Sequence, residues 1–282
     1  MVHGRMPVPY LPDFSRCQRH PSAPFMIYGT CAAADFFHPE FHRLCGLMGV
    51  GVGYHRKVWE WVFIAHHILK VAGIGTRGLG FGVGSEPMAG LFAKIGSVVT
   101  ATDAPQEIGL ASGWNSGDQL ASCLAAIPSL GMDRAVFERM VEFRHCDMNA
   151  IDDDLIGYDF CWSSCALEHL GNLRAGLDFI MNSLATLRPG GVAVHTTEFN
   201  LGSNDRTVTE GPCVLYRQRD IDDLTAELEA EGHRVEAFKI APDSTVIDGF
   251  VDMPPYLHAP HLKLLYDGFV TTSAGLVVHR SA

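Results

Sequence analysis

Four glycines alternate with other residues in RGLGFGVGSEPMAG (77–90): Gly78, Gly80, Gly82 and Gly84. A carboxylate, a proline and an apolar run follow them. Main chain bared at this density lets a ligand come close to the backbone. Three ligand chemistries compete for such a bend. A phosphate-cradling loop needs Gly-x-x-x-x-Gly-Lys-Ser/Thr, whereas Gly84 is followed by Ser85 and Glu86, with no lysine placed to reach a phosphate. A dinucleotide site needs Gly-x-Gly-x-x-Gly. Counted from Gly80 the third position is Ser85, and counted from Gly78 it is Val83. Glu86 also puts negative charge at the start of the next helix, where a pyrophosphate would sit. A cofactor carrying an amino group, a sulfonium and a neutral adenosine meets no such conflict.

SVVTATD (97–103) is a β-branched run closed by Asp103, at a spacing where one carboxylate can accept from both hydroxyls of a ribose. A glycine bend after one strand and an acid closing the next suit S-adenosylmethionine. In HCDMN, Asp147 can accept from an adenine amino group and Met148 offers a soft apolar face to the ring. The plainer reading of Asp147 is that it caps the following helix. HPEFH (38–42) has the histidine spacing of a zinc helix, but its second residue is proline and its Glu is displaced, so no metal is assigned. The eight cysteines contain no Cys-x-x-Cys and read as reduced thiols.

The elements that must position these residues follow from periodicity. HRKVWEWVFIAHHILKVAG (55–73) repeats apolar residues at helical spacing and stops at Gly73. After the glycine stretch, strands are expected at 97–103, 140–147, 158–164 and 191–199, the last preceded by the turn RPGG. Helices are expected between them at 88–95, at about 117–140 with a break at Pro128, and at 172–187. A further helix and strand follow residue 212, and GFVTTSAGLVVHR closes the chain as a strand or hairpin. Strand and helix in regular succession imply a mostly parallel sheet with helices on both faces, its ligand crevice at the carboxyl ends of the strands. Residues 1–73 read as an N-terminal helical or irregular extension and 74–282 as the main domain.

The net charge of -11, with no Lys/Arg cluster, excludes a general nucleic-acid binder. The amino end lacks the uninterrupted apolar core of a signal peptide, and no run approaches the roughly 20 apolar residues of a spanning helix. A cytoplasmic protein is expected. A homo-oligomer is left open.

At YDFCWSSCALEHLGN (158–172) the chain resembles class I S-adenosylmethionine-dependent methyltransferases: an aromatic-Asp strand, a polar strand end, then Leu167-Glu168-His169. LRPGG (187–191) and LYRQRDIDDLTAELEAEGHRVEAF (215–238) follow in the family's order, so the resemblance covers roughly residues 74–240. It implies a Rossmann-like α/β fold with a seven-stranded sheet whose last strand is antiparallel. It further implies cofactor contacts from Gly80, Gly82 and Gly84, ribose contacts from Asp103, and adenine contacts from Asp147 and Met148. Trp162 and Ser163 would flank the methionine portion, and a lead helix near Tyr54 and Trp59 would close over it, with Arg56 a partner for its carboxylate. The fourth strand ends Cys-Trp-Ser-Ser rather than Asn-Pro-Pro-Tyr, which weakens any case for DNA, RNA or glutamine as acceptor. AVHTTEFNLGSNDRTV and the carboxyl-terminal stretch resemble bacterial members from polysaccharide or secondary-metabolite clusters, which points to a sugar or other small-molecule hydroxyl.

Methyl transfer to a hydroxyl is an in-line displacement that needs alignment and a base. His195 and Glu198 stand near the end of the fifth strand on opposite faces, so one of them at most works. His169, His258 and His261 are the other candidates, and Trp114 could line an acceptor platform. Two alternatives stay open: an NAD-linked oxidoreductase on a similar sheet, and a non-catalytic protein that keeps the cofactor pocket.

Overall fold

A computed structural model describes residues 11–14, 17–105, 107–108, 120–257 and 259–282. Its nine strands, among the described residues, form one sheet. They are β1 (Arg77–Phe81), β2 (Val98–Asp103), β3 (Val141–His145), β4 (Tyr158–Ser164), β5 (Leu187–Asn200), β6 (Arg234–Val235), β7 (Val251–Asp252), β8 (Lys263–Tyr266) and β9 (Phe269–His279). The order is β3-β2-β1-β4-β5-β9-β8-β7, with β6 also paired to β9. Strands β1 to β5 are parallel, and β9 runs antiparallel to β5, β6 and β8. This is a Rossmann-like doubly wound sheet, and its order reverses between β1 and β4. The last strand is antiparallel as expected, but the sheet has nine strands rather than seven. The extra pairing comes from the tail, which adds β7 and β8 as a second edge beyond β9.

Six helices accompany the sheet among the described residues: α1 (Pro39–Met48), α2 (Arg56–Ile68), α3 (Met88–Lys94), α4 (Arg134–Met140), α5 (Leu173–Thr186) and α6 (Gln218–Ala230). Where one helix was expected over 117–140, the described part holds a single 3-10 turn at Leu124–Ala126 and then α4, capped by Asp133. No helix among the described residues is long and apolar enough to cross a membrane. All eight cysteines are free thiols.

Helix α2 starts at an N-cap, His55, whose ring accepts from Lys57 N–H, and buries Trp59, Val62, Phe63 and Ile68 on one face. That face lies across β4, β5 and β9. One apolar cluster runs from Met26 through α1 and α2 to Val99, Phe160 and Val277, so residues before 73 share a core with the sheet. Phe36, Phe37 and Phe41 of the aromatic-rich stretch 31–41 belong to it.

Glycine and aromatic residues face each other across β1 and β4. Gly78 pairs with Phe160 and Gly80 with Trp162. A Cβ on Gly78 would lie 2.3 Å from the Phe160 ring, and one on Gly80 2.4 Å from the Trp162 ring. Phe92 of α3 then meets both rings edge-on at 5.1 Å. The first half of the alternating motif therefore makes room for the core.

Two substitutions test this packing by urea unfolding. Gly80→Ala should lose roughly 1–3 kcal/mol through overpacking. Gly46→Ala, on the exposed side of α1 with nothing within 4 Å, should gain about 0.5–1 kcal/mol through helix propensity. A neutral Gly80→Ala would show that the Trp162 ring does not need this space.

Candidate active site

The second half of the glycine motif leaves the strand and turns. Gly82 and Gly84 have φ of 59° and 48°, the left-handed region that glycine tolerates best. Val83 N–H donates to the Thr102 carbonyl at 3.1 Å, and Gly84 N–H to Asp103 Oδ2 at 3.0 Å. The bend and the acid at the tip of β2 are thus joined directly. Asp103 is buried, and it also accepts from Ala121 and Ala104 N–H groups, each at 2.8 Å. Burial raises its pKa against the pull of these amide bonds.

Gly82, Val83 and Gly84 wall a cavity of ≈ 660 Å³ at the carboxyl ends of β1, β4 and β5. Ser164, Cys165 and Glu168 line it from β4 and the turn beyond, and Glu198 from β5. Arg56, Lys57 and Trp61 reach it from α2, and Tyr256, His261 and Tyr266 from the tail. It occupies the point where strand order reverses, the usual ligand crevice of such sheets.

Charge is concentrated here. Glu60 is wholly buried, with Lys57 Nζ at 2.6 Å, Arg56 at 4.0 Å, and hydroxyl donors Ser164 at 3.3 Å and Ser273. Burial pushes its pKa up, but Lys57 and Arg56 outweigh that and hold it at about 2. Arg56 also pairs with Glu198. Burial raises the Glu198 pKa, Arg56 opposes it, and Glu168 and Glu60 add to it. Glu86, on the cavity wall, accepts from Trp162 Nε1 at 2.7 Å, and burial outweighs that bond to push its pKa up to about 8. Near neutral pH its carboxyl is largely protonated. The negative charge that the sequence places at this helix start is therefore mostly absent, and with it goes the electrostatic objection to a pyrophosphate.

At the tail, Asp252 Oδ2 accepts from Leu257 N–H at 2.8 Å and lies 2.6 Å from His261 Nδ1. His261 stacks on His55, ring centroids 4.6 Å apart. Burial, with His261 and Arg56 adding, lowers the His55 pKa to about 4. The Asp252 contact fixes the orientation of the His261 ring.

The structure brings Gly82, Gly84, Arg56, Glu198, His169 and His261 to one cavity. Met148 stands beneath the bend, its sulfur 3.5 Å from where a Gly82 Cβ would be. Asp147 is part-buried and caps a turn, accepting from Asn149 N–H at 2.9 Å. Four expected residues point elsewhere. Gly80 faces the Trp162 ring, and Trp162 is buried in the core under α2 and α3. Ser163 Oγ lies 2.8 Å from His195 Nδ1, with Ser183 of α5 3.2 Å from Nε2. His195 is buried on that side, its pKa lowered to about 3 by burial, and does not line the cavity. Strand alternation separates it from Glu198 as the sequence requires. His258 and Trp114 lie outside the described residues. His38 caps α1 and His42 contacts the Phe36 carbonyl, so HPEFH serves helix ends. Sequence reasoning missed Lys57, Glu60, Cys165 and Asp252. The signal for the first two was there: opposite charges three residues apart in the first turns of a helix, with Glu60 flanked by Trp59, Trp61 and Val62.

No protein-family model and no curated protein sequence matches the chain. Solved structures match it loosely. Phosphoethanolamine N-methyltransferase 2 of Haemonchus contortus, in complex with phosphomonomethylethanolamine and S-adenosylhomocysteine, is 14% identical over 78% of this chain and 52% of its own, with a TM-score of 0.48. This chain thus matches about half the length of that protein. A putative sarcosine dimethylglycine methyltransferase of Galdieria sulphuraria is 14% identical over 80% and 84%, also at 0.48. An S-adenosylmethionine-dependent methyltransferase of Mesorhizobium loti is 14% identical over 78% and 97%, at 0.45. Likenesses this loose say nothing of the chemistry of this chain.

Glu86 carries a pH prediction. Its folded pKa of about 8 lies above the ordinary 4.5, so its contribution to stability is complete below the lower value and is lost as pH rises through the upper one. Glu86→Gln keeps an oxygen for Trp162 Nε1 and removes the titration. Compared by denaturant unfolding, the variant should gain on the wild type by more than about 1 kcal/mol between roughly pH 5 and pH 8. A constant difference would mean that Glu86 is ionised throughout.

Proposed function

We propose that this protein transfers a methyl group from S-adenosylmethionine to a hydroxyl of a small molecule or glycan. The observation that carries this reading is the cavity at the strand-order reversal, where the Gly82–Gly84 bend meets buried carboxylates left partly unpartnered. Glu168 Oε1 and Glu198 Oε2 are buried without a hydrogen-bond partner, an arrangement that favours a cation over a pyrophosphate. At Gly82 a Cβ would come within 2.9 Å of Ala166, so any side chain there would crowd the floor of the bend. Arg56 lines the cavity, and Asp103, Asp147 and Met148, which do not line it, are assigned to the adenosine end of the cofactor. Asp103 serves there chiefly as the residue that holds the bend, since three backbone N–H groups already occupy its carboxylate.

When bound, S-adenosylmethionine supplies an activated methyl and a good leaving group. The chain supplies alignment and a base. Of the candidate bases in the cavity, His261 is the one we favour: Asp252 fixes its orientation, while an oxygen of Glu198 is committed to Arg56. Nε2 of His261 would take the acceptor's proton as the oxygen attacks. Tyr256 and Tyr266 on the same wall offer ring faces to a polyol, the Tyr256 hydroxyl itself donating to the Leu265 carbonyl at 2.8 Å.

The purified protein should bind S-adenosylhomocysteine in the micromolar range by calorimetry and fail to bind NAD; the reverse preference would replace this reading with an oxidoreductase. With labelled donor and a metabolite or glycan extract, Asp252→Asn and His261→Ala should each slow transfer roughly 100- to 10,000-fold, while changing S-adenosylhomocysteine affinity little. Tight binding with no transfer to any fraction would point to a non-catalytic protein.

A further inference from the structure

The cavity brings a thiol, Cys165, beside the two carboxylates Glu168 and Glu198, and alignment and a base give that thiol no role. Cys165 Sγ and one oxygen each of Glu168 and Glu198 lie within 4.8 Å of one another, and all three residues are buried. Each carboxylate has one oxygen tied back. Glu198 Oε1 pairs with Arg56, and Glu168 Oε2 accepts from Thr197 Oγ1 at 3.1 Å. The other oxygens, Glu198 Oε2 and Glu168 Oε1, accept no hydrogen bond, and Glu168 Oε1 lies 3.9 Å from His169 Nε2. Glu168 is 0% exposed and Glu198 7%, so water does not readily offset that loss. Cys165 has a φ of 47°, which a side-chain-bearing residue seldom adopts; its N–H is held by the carbonyl and hydroxyl of Thr196 at 3.0 and 3.1 Å. Strained backbone of this kind persists where the surroundings impose it, often at functional sites.

We propose that Cys165, Glu168 and Glu198 form a binding site for a divalent transition metal of the zinc type. The donor set decides the class. A thiolate with two carboxylates favours Zn²⁺ or Co²⁺ over Mg²⁺ and Ca²⁺, which take oxygen ligands. Three protein ligands with a fourth position open to a cavity is the pattern of a catalytic rather than a structural zinc site. Arg56 and Thr197 stand where outer partners orient metal ligands. Ligand atoms around a tetrahedral ion sit roughly 3.5 Å apart, so the three side chains close inward on binding, and the Cys165 thiol gives its proton to solvent. An acceptor oxygen in the open position would be held beside the donor. The site uses the same two carboxylates that support the methyl-transfer reading and adds Cys165 to them, so the two readings are separated by experiment.

The test uses the full chain, stripped with a chelator and titrated with Co²⁺. One equivalent should bind, giving intense visible bands of tetrahedral cobalt and a near-ultraviolet thiolate-to-cobalt charge-transfer band. Zn²⁺ should abolish both. Cys165→Ser should remove the charge-transfer band, and Glu168→Gln and Glu198→Gln should each weaken Co²⁺ binding at least tenfold. Thr197→Val, which touches no ion, should weaken it about tenfold by freeing Glu168. Circular dichroism establishes that each variant folds; if a carboxylate variant does not, Cys165→Ser and Thr197→Val decide. Absence of stoichiometric binding, or a cobalt spectrum unchanged in Cys165→Ser, would overturn the site. Titrating S-adenosylhomocysteine into the same sample separates the two readings. Its binding without the cobalt bands overturns the metal site alone; cobalt bands without its binding overturn only the proposed function.

Discussion

A single buried carboxylate, Glu60, fixes the relation between the leading helix and the sheet. It sits on α2 with no exposure, yet it touches two strands, the end of β4 through Ser164 and the middle of β9 through Ser273. A lone charge in that position would be strongly unfavourable, and removing one partner of a buried pair typically costs about 3–5 kcal/mol. Lys57 and Arg56, one turn away on the same helix, supply the compensation. The consequence is positional. Helix α2 cannot slide along the sheet without breaking this set, so Arg56, Lys57 and Trp61 are held over the carboxyl ends of β1, β4 and β5. The cavity has a roof because a charge is buried beneath it.

The floor of the cavity depends on a different device. Strand β1 carries glycine wherever β4 carries a large ring, and this lets Phe160 and Trp162 lie against Phe92 of α3. Trp162 also donates its indole N–H to Glu86. The same ring therefore sets the packing of the strand and holds a cavity-wall carboxyl whose protonation comes from burial, against the pull of that hydrogen bond. Past Phe81 the chain no longer needs glycine for packing of that kind. It needs it for backbone geometry, at Gly82 and Gly84, and there the main chain turns into the cavity. One alternating motif thus performs two physical tasks in succession.

Several features were readable in one dimension. The β-branched runs ending at Asp103 and Ser164 are strands β2 and β4, and the apolar repeat around Trp59 is α2. Asp103 was expected beside the glycine bend, and a direct hydrogen bond joins them. Two-residue alternation correctly placed His195 and Glu198 on opposite faces of β5. Which face opened on the cavity depended on where α2 and α5 packed, and no local pattern carries that information.

The sequence by itself determined the succession of strands and helices, the place of the bend, and the acid that meets it. These follow from side-chain shape and backbone freedom, which act over a few neighbouring residues. Only the tertiary structure decided the rest: that Gly80 and Trp162 serve the core, that Glu86 is largely uncharged, and that Asp252 orients His261. It alone brought Cys165, Glu168 and Glu198 together. Burial and Coulomb energy depend on distances between residues far apart in the chain, and those distances exist only once the sheet has closed and α2 lies across it.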